Sequence, residues 1–94
     1  MQLDIEKIGE HEYRVDALAS LDRMFEYFGM NGEDSEMTTV NGWVMEHTDK
    51  IPAVGDSFDY ENLHVAVISV DGRRADKIQI TVKEDNTEDS NGTV

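Results

Sequence analysis

The pattern that most constrains the fold lies in residues 57–82, where apolar and polar side chains alternate in three short runs. Alternation with a period of two is typical of strands that bury one face. Glu61-Asn62 and Asp71-Gly72 separate the runs, and Asp-Gly is a strong hairpin signal because both residues tolerate positive φ. The segment therefore predicts a three-stranded antiparallel meander. Its alternating apolar positions are Phe58, Tyr60, Leu63, Val65, Val67, Ile78, Ile80 and Val82.

A hairpin and a first helix are predicted before this meander. Residues 3–16 alternate weakly around Gly9-Glu10-His11-Glu12, which favours two short strands joined by a turn. We expect Asp16 to cap the helix, and Gly29 to end it because glycine tolerates the left-handed conformation at that position. The predicted apolar face of the helix comprises Leu18, Leu21, Phe25 and Phe28.

A second, shorter helix is predicted to begin after Thr38 or Thr39, either of which can cap it. Proline disfavours helical geometry in the residue before it, so Pro52 should stop the helix by about Lys50. Residues 54–56, Val-Gly-Asp, should then turn the chain into the meander. The predicted apolar face comprises Val40, Trp43, Val44 and either His47 or Ile51.

The predicted order is ββααβββ, an α+β fold of about five mostly antiparallel strands packed with two helices. At 94 residues the chain is expected to form one domain over residues 1–83. Residues 84–94 are predicted to be a disordered acidic tail, because Val94 is their only aliphatic residue. The tail acids are Glu84, Asp85, Glu88 and Asp89.

The charge balance argues against two classes of partner. Twenty-one acidic and eight basic residues give a formal net charge of −13, which repels phosphate backbones and anionic lipid headgroups. We therefore predict no nucleic-acid binding. The sequence has no apolar run long enough for a membrane span, and its first residues lack a signal-peptide pattern, so direct membrane insertion of this chain is not expected.

The residues that could carry chemistry do not form a known catalytic or metal-binding motif. The chain has no cysteine, and His11, His47 and His64 lack HxxxH or HExxH spacing, so the histidines are interpreted as solvated or partly packed. The acidic run 31–36 lacks the EF-hand pattern and is interpreted as a solvated loop, with a cation-sensing loop as the alternative. Asp56, Asp59 and Glu61 are interpreted as solvated too.

The serines and glycines form neither a GxSxG elbow nor a GxGxxG phosphate loop. Trp43 is interpreted as a core residue rather than an interface residue. Arg73 and Arg74 could receive a carboxylate from a partner, although a solvated turn is the favoured interpretation. The sequence thus predicts a non-enzymatic chain without catalytic residues or metal ligands, and it assigns no cofactor-binding residue.

Four segments follow one another in the chain: Tyr13-x-Val15-Asp16, Thr39-Val40-Asn41-Gly42-Trp43-Val44, Ile51-Pro52-x-Val54-Gly55-Asp56 and Val70-Asp71-Gly72-Arg73-Arg74. In this order they resemble the transporter-associated domain of the CorC/HlyC family over residues 3–83. This chain has Asn41 where that family usually has glycine or alanine.

The resemblance implies a C-terminal appendage at the cytoplasmic face of the cell membrane. In such magnesium and cobalt efflux or hemolysin-like proteins it follows a membrane region and two CBS domains, which are its implied partners, with a homodimer as a further assembly. The implied role is to modulate transport through protein contacts. Because the family fold is similar to part of flavoenzyme FAD-binding domains, FAD or adenine-nucleotide binding is the alternative. No glycine-rich pyrophosphate loop supports that alternative, and the negative charge opposes a dinucleotide.

Overall fold

The computed structural model describes residues 4–30, 36–48 and 51–83. The predicted acidic tail and residues 31–35 of the acidic run lie outside these residues. The predicted order ββααβββ is confirmed. The elements are β1 Ile5–Lys7, β2 Glu12–Asp16, α1 Leu21–Tyr27, α2 Val40–Thr48, β3 Ser57–Tyr60, β4 Leu63–Asp71 and β5 Arg74–Val82.

All five strands form one antiparallel sheet in the order β1-β2-β5-β4-β3. The predicted hairpin is β1–β2 and the predicted meander is β3–β4–β5, so both are confirmed. They join through β2 and β5, where Val15 lies opposite Ile78. The last strand in the sequence is therefore the middle strand of the sheet.

The β4–β5 turn lies one residue later than predicted. Asp71 ends β4 opposite Arg74, and its carboxylate accepts a bond from that guanidinium at 3.0 Å. The two turn residues are therefore Gly72 and Arg73, and Gly72 has a φ of +66°. Glycine is well suited to this left-handed position because it has no side chain to clash with the backbone.

The predicted cap of α1 was wrong. Ser20 caps the helix, since its Oγ accepts a hydrogen bond from the Arg23 amide at 3.4 Å. Asp16 instead accepts from the amide of Leu18, which lies outside the helix and is 60% exposed. The physical reason is that the Ala17 amide donates to the Asp76 carbonyl at 2.9 Å, so the chain stays attached to the sheet until that point. The prediction that Gly29 follows the helix in a left-handed conformation is confirmed by its φ of +69°.

Helix α2 largely follows its prediction. The Thr39 hydroxyl caps it by accepting from the Gly42 amide at 3.2 Å, and the helix ends at Thr48. Neither candidate for the last apolar position is buried, because His47 lies at the surface and Ile51 is 51% exposed. The remaining predicted face is fully buried and consists of Val40, Trp43 and Val44.

The core lies between the two helices and one face of the sheet. Trp43 is at its centre with no exposed surface, which confirms that it is a core residue. The rings of Phe25, Phe58 and Tyr60 surround it with centroids 5.2–5.4 Å away, close to perpendicular to the indole. Edge-to-face contacts of this kind are favourable because the positive edge of one ring meets the negative face of another.

Candidate functional site

The sheet face opposite the core is polar. One row crosses all five strands, and its members are at least partly exposed. At one end of the row, Arg14 donates to Glu6 across β1 and β2 at 2.7 Å. This alternation of buried and polar positions leaves an open, hydrated surface on the domain. The row is Glu6, Arg14, Gln79, Ala66 and Ser57.

A histidine–aspartate pair lies in the next row of this face. His64 Nδ1 is 2.7 Å from Asp59 Oδ1, and Lys83 Nζ is 3.5 Å from the same oxygen. The hydrogen bond from His64, supported by the charge of Lys83, lowers the pKa of Asp59 below its ordinary value of 3.8. Both partners of the pair are largely exposed, at 45% and 61%, so water screens their attraction. The geometry is that of an exposed hydrogen-bonded pair rather than of a buried acid–base centre.

A shallow groove of about 230 Å³ lies between β1 and α1. Its two charged residues, Asp4 and Arg23, approach each other to only 4.0 Å. Pockets that enclose drug-sized ligands have volumes of about 300–1,000 Å³, so this groove is small for such a ligand. FAD binding remains a prediction. The lining residues are Asp4, Ile5, Ala19, Arg23 and Tyr27.

The three histidines lie on a turn, a helix and a strand, as the sequence indicated. His47 stacks flat on Phe58, with ring centroids 4.5 Å apart. Glu36, the described member of the acidic run, is exposed. Within residues 4–30, 36–48 and 51–83, no three His, Asp or Glu side chains form a group that could hold a metal ion.

The two arginines beside the last turn have different surroundings. Arg74 donates to the Asp71 carboxylate at 3.0 Å and to the Ala75 carbonyl at 3.3 Å, so neighbouring groups occupy two of its donors. Arg73 is exposed. Arg73 is therefore the more accessible of the two arginines, and the binding of a partner's carboxylate by the pair stays a prediction.

Asn41 has a structural role that sequence reasoning missed. Its side-chain oxygen accepts a hydrogen bond from the buried Ala75 amide at 2.8 Å, across 34 positions of the chain. Its own amide donates to the Ala17 carbonyl at 2.8 Å. The only sequence signal was the asparagine itself, since a polar residue next to a buried helical face commonly has a hydrogen-bonding partner.

The fold is a two-layer α+β domain with one covered and one open sheet face. The family model of the transporter associated domain, CorC_HlyC, matches residues 6–84. The chain therefore belongs to the CorC_HlyC transporter-associated domain family.

Curated relatives show the same family. The chain is 30% identical over 84 residues to the magnesium and cobalt efflux protein CorC of Escherichia coli. The aligned segment covers 89% of this chain and 29% of that protein. It is 32% identical over 83 residues to CorC of Vibrio cholerae, and that alignment covers 88% of this chain and 28% of the relative. The chain thus spans less than a third of the length of these relatives.

Solved structures share the fold. The transporter associated domain of a CBS domain protein from Porphyromonas gingivalis is 26% identical, with a TM-score of 0.77 over 87% of this chain and all of that one. A hemolysin domain from Enterococcus faecalis has a TM-score of 0.80 at 20% identity, over 87% of this chain and all of that one. A hemolysin domain from Xylella fastidiosa, in complex with Mg²⁺ and Mn²⁺, has a TM-score of 0.76 at 20% identity over the same shares.

Both helices of the described ranges are short, and neither has the length and apolarity that crossing a bilayer requires.

Proposed function

We propose that this chain is a non-catalytic accessory domain of a larger CorC-type membrane protein. It modulates magnesium or cobalt efflux through protein contacts on the cytoplasmic side of the membrane. The observation that carries the proposal is the family match over residues 6–84, combined with coverage of only 28–29% of efflux proteins named CorC. We therefore expect the domain to act as one part of a longer protein of this kind.

The proposed partners are CBS domains and the membrane region of the same polypeptide. The open sheet face is compatible with this view, because its side chains are at least partly exposed and contacts between domains of one chain are more polar than obligate interfaces. Docking modulates transport only if it favours one of two states of the transporter. Couplings of this kind are typically about 1–3 kcal/mol.

A chimera of Escherichia coli CorC tests the proposal. The segment of CorC that matches this chain is deleted in one version and replaced by residues 4–84 of this chain in another, and cobalt tolerance of the cells is measured. We expect deletion to reduce tolerance and the chimera to restore part of it. A chimera that also carries Trp43→Ala is the matched control, because loss of the central indole should unfold the inserted domain.

Two results would contradict the proposal. The first is unchanged tolerance after deletion, which would show that the domain does not modulate efflux. The second is a chimera that is present in the membrane at the level of native CorC and yet behaves like the deletion. Titration of the purified domain with FAD, followed by flavin fluorescence, tests the alternative: saturable binding at micromolar concentration would favour a nucleotide-binding domain instead.

A further inference from the structure

The groove between β1 and α1 combines an apolar surface with two opposite charges. Its apolar lining comes from Ile5, Ala19 and the half-exposed ring of Tyr27. Its charges come from the side chains of Asp4 and Arg23. Binding sites for small molecules have this composition, because apolar contacts provide affinity and a few polar groups fix the orientation of the ligand. The groove thus offers a small ligand both kinds of contact.

The backbone holds both charged residues in place. The Asp4 carbonyl accepts from the Asp16 amide at 2.8 Å, which ties the start of β1 to β2. Arg23 lies in the first turn of α1, where its amide donates to the Ser20 cap at 3.4 Å. Tyr27 follows four residues later, so its side chain lies on the same side of the helix as that of Arg23. The sheet and the helix therefore bring the two charges and the ring to one groove.

Asp4 and Arg23 interact only weakly with each other. Their closest oxygen and nitrogen atoms are 4.0 Å apart, which is longer than a hydrogen bond, whereas Arg14 and Glu6 approach to 2.7 Å. Among the residues that the structure describes, the Asp4 carboxylate and the Arg23 guanidinium have no other bonded or charged partner. Most of the hydrogen-bonding capacity of both groups is therefore available to a ligand.

The 4.0 Å separation suits a ligand that carries both charges close together. In an α-amino acid the ammonium nitrogen and the carboxylate oxygens are about 3 Å apart. When such a ligand lies across the pair, its ammonium donates to the Asp4 carboxylate and its carboxylate accepts from the Arg23 guanidinium. The four charges then alternate in sign, and both contacts are charge-assisted hydrogen bonds. A ligand with one charge would satisfy one of these side chains and repel the other.

The size of the groove and the charge of the protein narrow the ligand further. The volume of about 230 Å³ is small for a drug-sized molecule, but it leaves room for one aliphatic side chain against Ile5, Ala19 and Tyr27. The net charge of −13 repels anionic ligands, whereas a zwitterion has no net charge and is not repelled. Both observations favour a small neutral molecule with separated charges.

We propose that the groove between β1 and α1 binds a free α-amino acid with an aliphatic side chain. Asp4 receives the ammonium group, Arg23 receives the carboxylate, and the side chain of the ligand packs on Tyr27 and its apolar neighbours. The Asp4 and Arg23 side chains are 47% and 74% exposed, so water screens both contacts. We therefore expect a weak complex with a Kd of about 1–10 mM. The inference does not rest on the proposed role in efflux.

NMR titration of the full chain labelled with ¹⁵N tests the site with four compounds. L-leucine has all three groups, leucinamide lacks the carboxylate, N-acetyl-leucine lacks the ammonium, and glycine lacks the side chain. Each is added up to about 50 mM at a pH of about 6.5, where the amine of leucinamide is mostly charged. We expect saturable shifts around the groove with leucine, and about three- to tenfold weaker binding of the other three. Equal affinities for all four, or leucine shifts that are absent or centred elsewhere, would overturn the proposal.

Two variants with the same chemical change assign the carboxylate contact. Arg23→Gln removes a guanidinium from the groove, and Arg73→Gln removes one from the β4–β5 turn. Both arginines are exposed, and fluorescence of the buried Trp43 checks that each variant is folded. We expect Arg23→Gln to weaken leucine binding about three- to tenfold with little effect on leucinamide, and Arg73→Gln to bind leucine like the unchanged chain. Equal leucine affinities of the two variants, or equal losses for leucine and leucinamide in Arg23→Gln, would overturn the proposal.

Discussion

Asn41 connects helix α2 to the β4–β5 hairpin, and its removal gives a sharp test of how the two layers are held together. In Asn41→Ala the Ala75 amide loses its acceptor while its residue stays fully buried. Leaving a buried donor unsatisfied costs about 1–3 kcal/mol, and the better helix propensity of alanine offsets about 0.5 kcal/mol of this. We expect a net loss of about 1–2 kcal/mol in the free energy of unfolding. For a domain of this size that corresponds to a fall in Tm of roughly 5–15 °C.

Urea denaturation measures the loss directly. Trp43 is the single tryptophan and is fully buried, so its fluorescence reports unfolding without a label. Asn41→Asp is the matched control, because it keeps an acceptor oxygen and places a carboxylate in the first turn of α2, where the helix dipole favours it. The reasoning is refuted if Asn41→Ala changes stability by less than about 0.5 kcal/mol, or if both variants lose the same amount.

Variants at three further positions test the core, the surface pair and the last turn. Trp43→Ala should lower the free energy of unfolding by about 3–5 kcal/mol, measured by circular dichroism in urea. Trp43→Phe should lower it clearly less, because no partner of the buried indole N–H is found in the described residues. Equal losses in the two variants would be inconsistent with this reasoning. His64→Gln should raise the pKa of the Asp59 carboxyl toward 3.8 in an NMR titration. Because the folded-state pKa of Asp59 is lowered, the Asp59 carboxylate stabilises the fold above pH 3.8, and this stabilisation is lost as the pH falls through the folded-state pKa. In His64→Gln the same loss should occur at a higher pH. An unchanged pKa of Asp59 would speak against the hydrogen bond as the cause. Gly72→Ala should lower the free energy of unfolding by about 1 kcal/mol through the φ of +66° alone, since an added Cβ meets nothing within 4 Å. Gly72→Asn should lower it less, because asparagine tolerates this conformation better. The reverse order of the two variants in thermal melts would contradict this.

The local elements could be predicted because their signals are local. Alternation, Asp-Gly and Pro52 each act on their own neighbours, and the structure places strands, turns and helices close to where these signals indicate. The start of α1 could not be predicted in the same way. Asp16 and Ser20 are both good capping residues, and the choice between them depends on a bond from Ala17 to Asp76, far along the chain.

The surface features were harder to predict, because they depend on contacts between residues that are not neighbours in the sequence. Arg73 and Arg74 differ in their surroundings because only Arg74 is bonded to the Asp71 carboxylate, at 3.0 Å. The pairing of Asp59 with His64 was within reach of sequence reasoning, because the two-residue turn between β3 and β4 places these positions opposite each other. No pattern in the sequence predicted that Asn41 would satisfy the Ala75 amide.

The central place of β5 has a consequence for synthesis. A ribosome makes β2 early and β5 late, yet Glu12 pairs with Thr81, so the N-terminal hairpin waits for its neighbour until almost the whole domain has been translated. At about 5–20 residues per second this delay is on the order of 3–14 s. A nascent chain stopped between β4 and β5 contains both hairpins but lacks the strand that joins them into one sheet. The domain is therefore expected to fold in a single late step, after β5 leaves the ribosome.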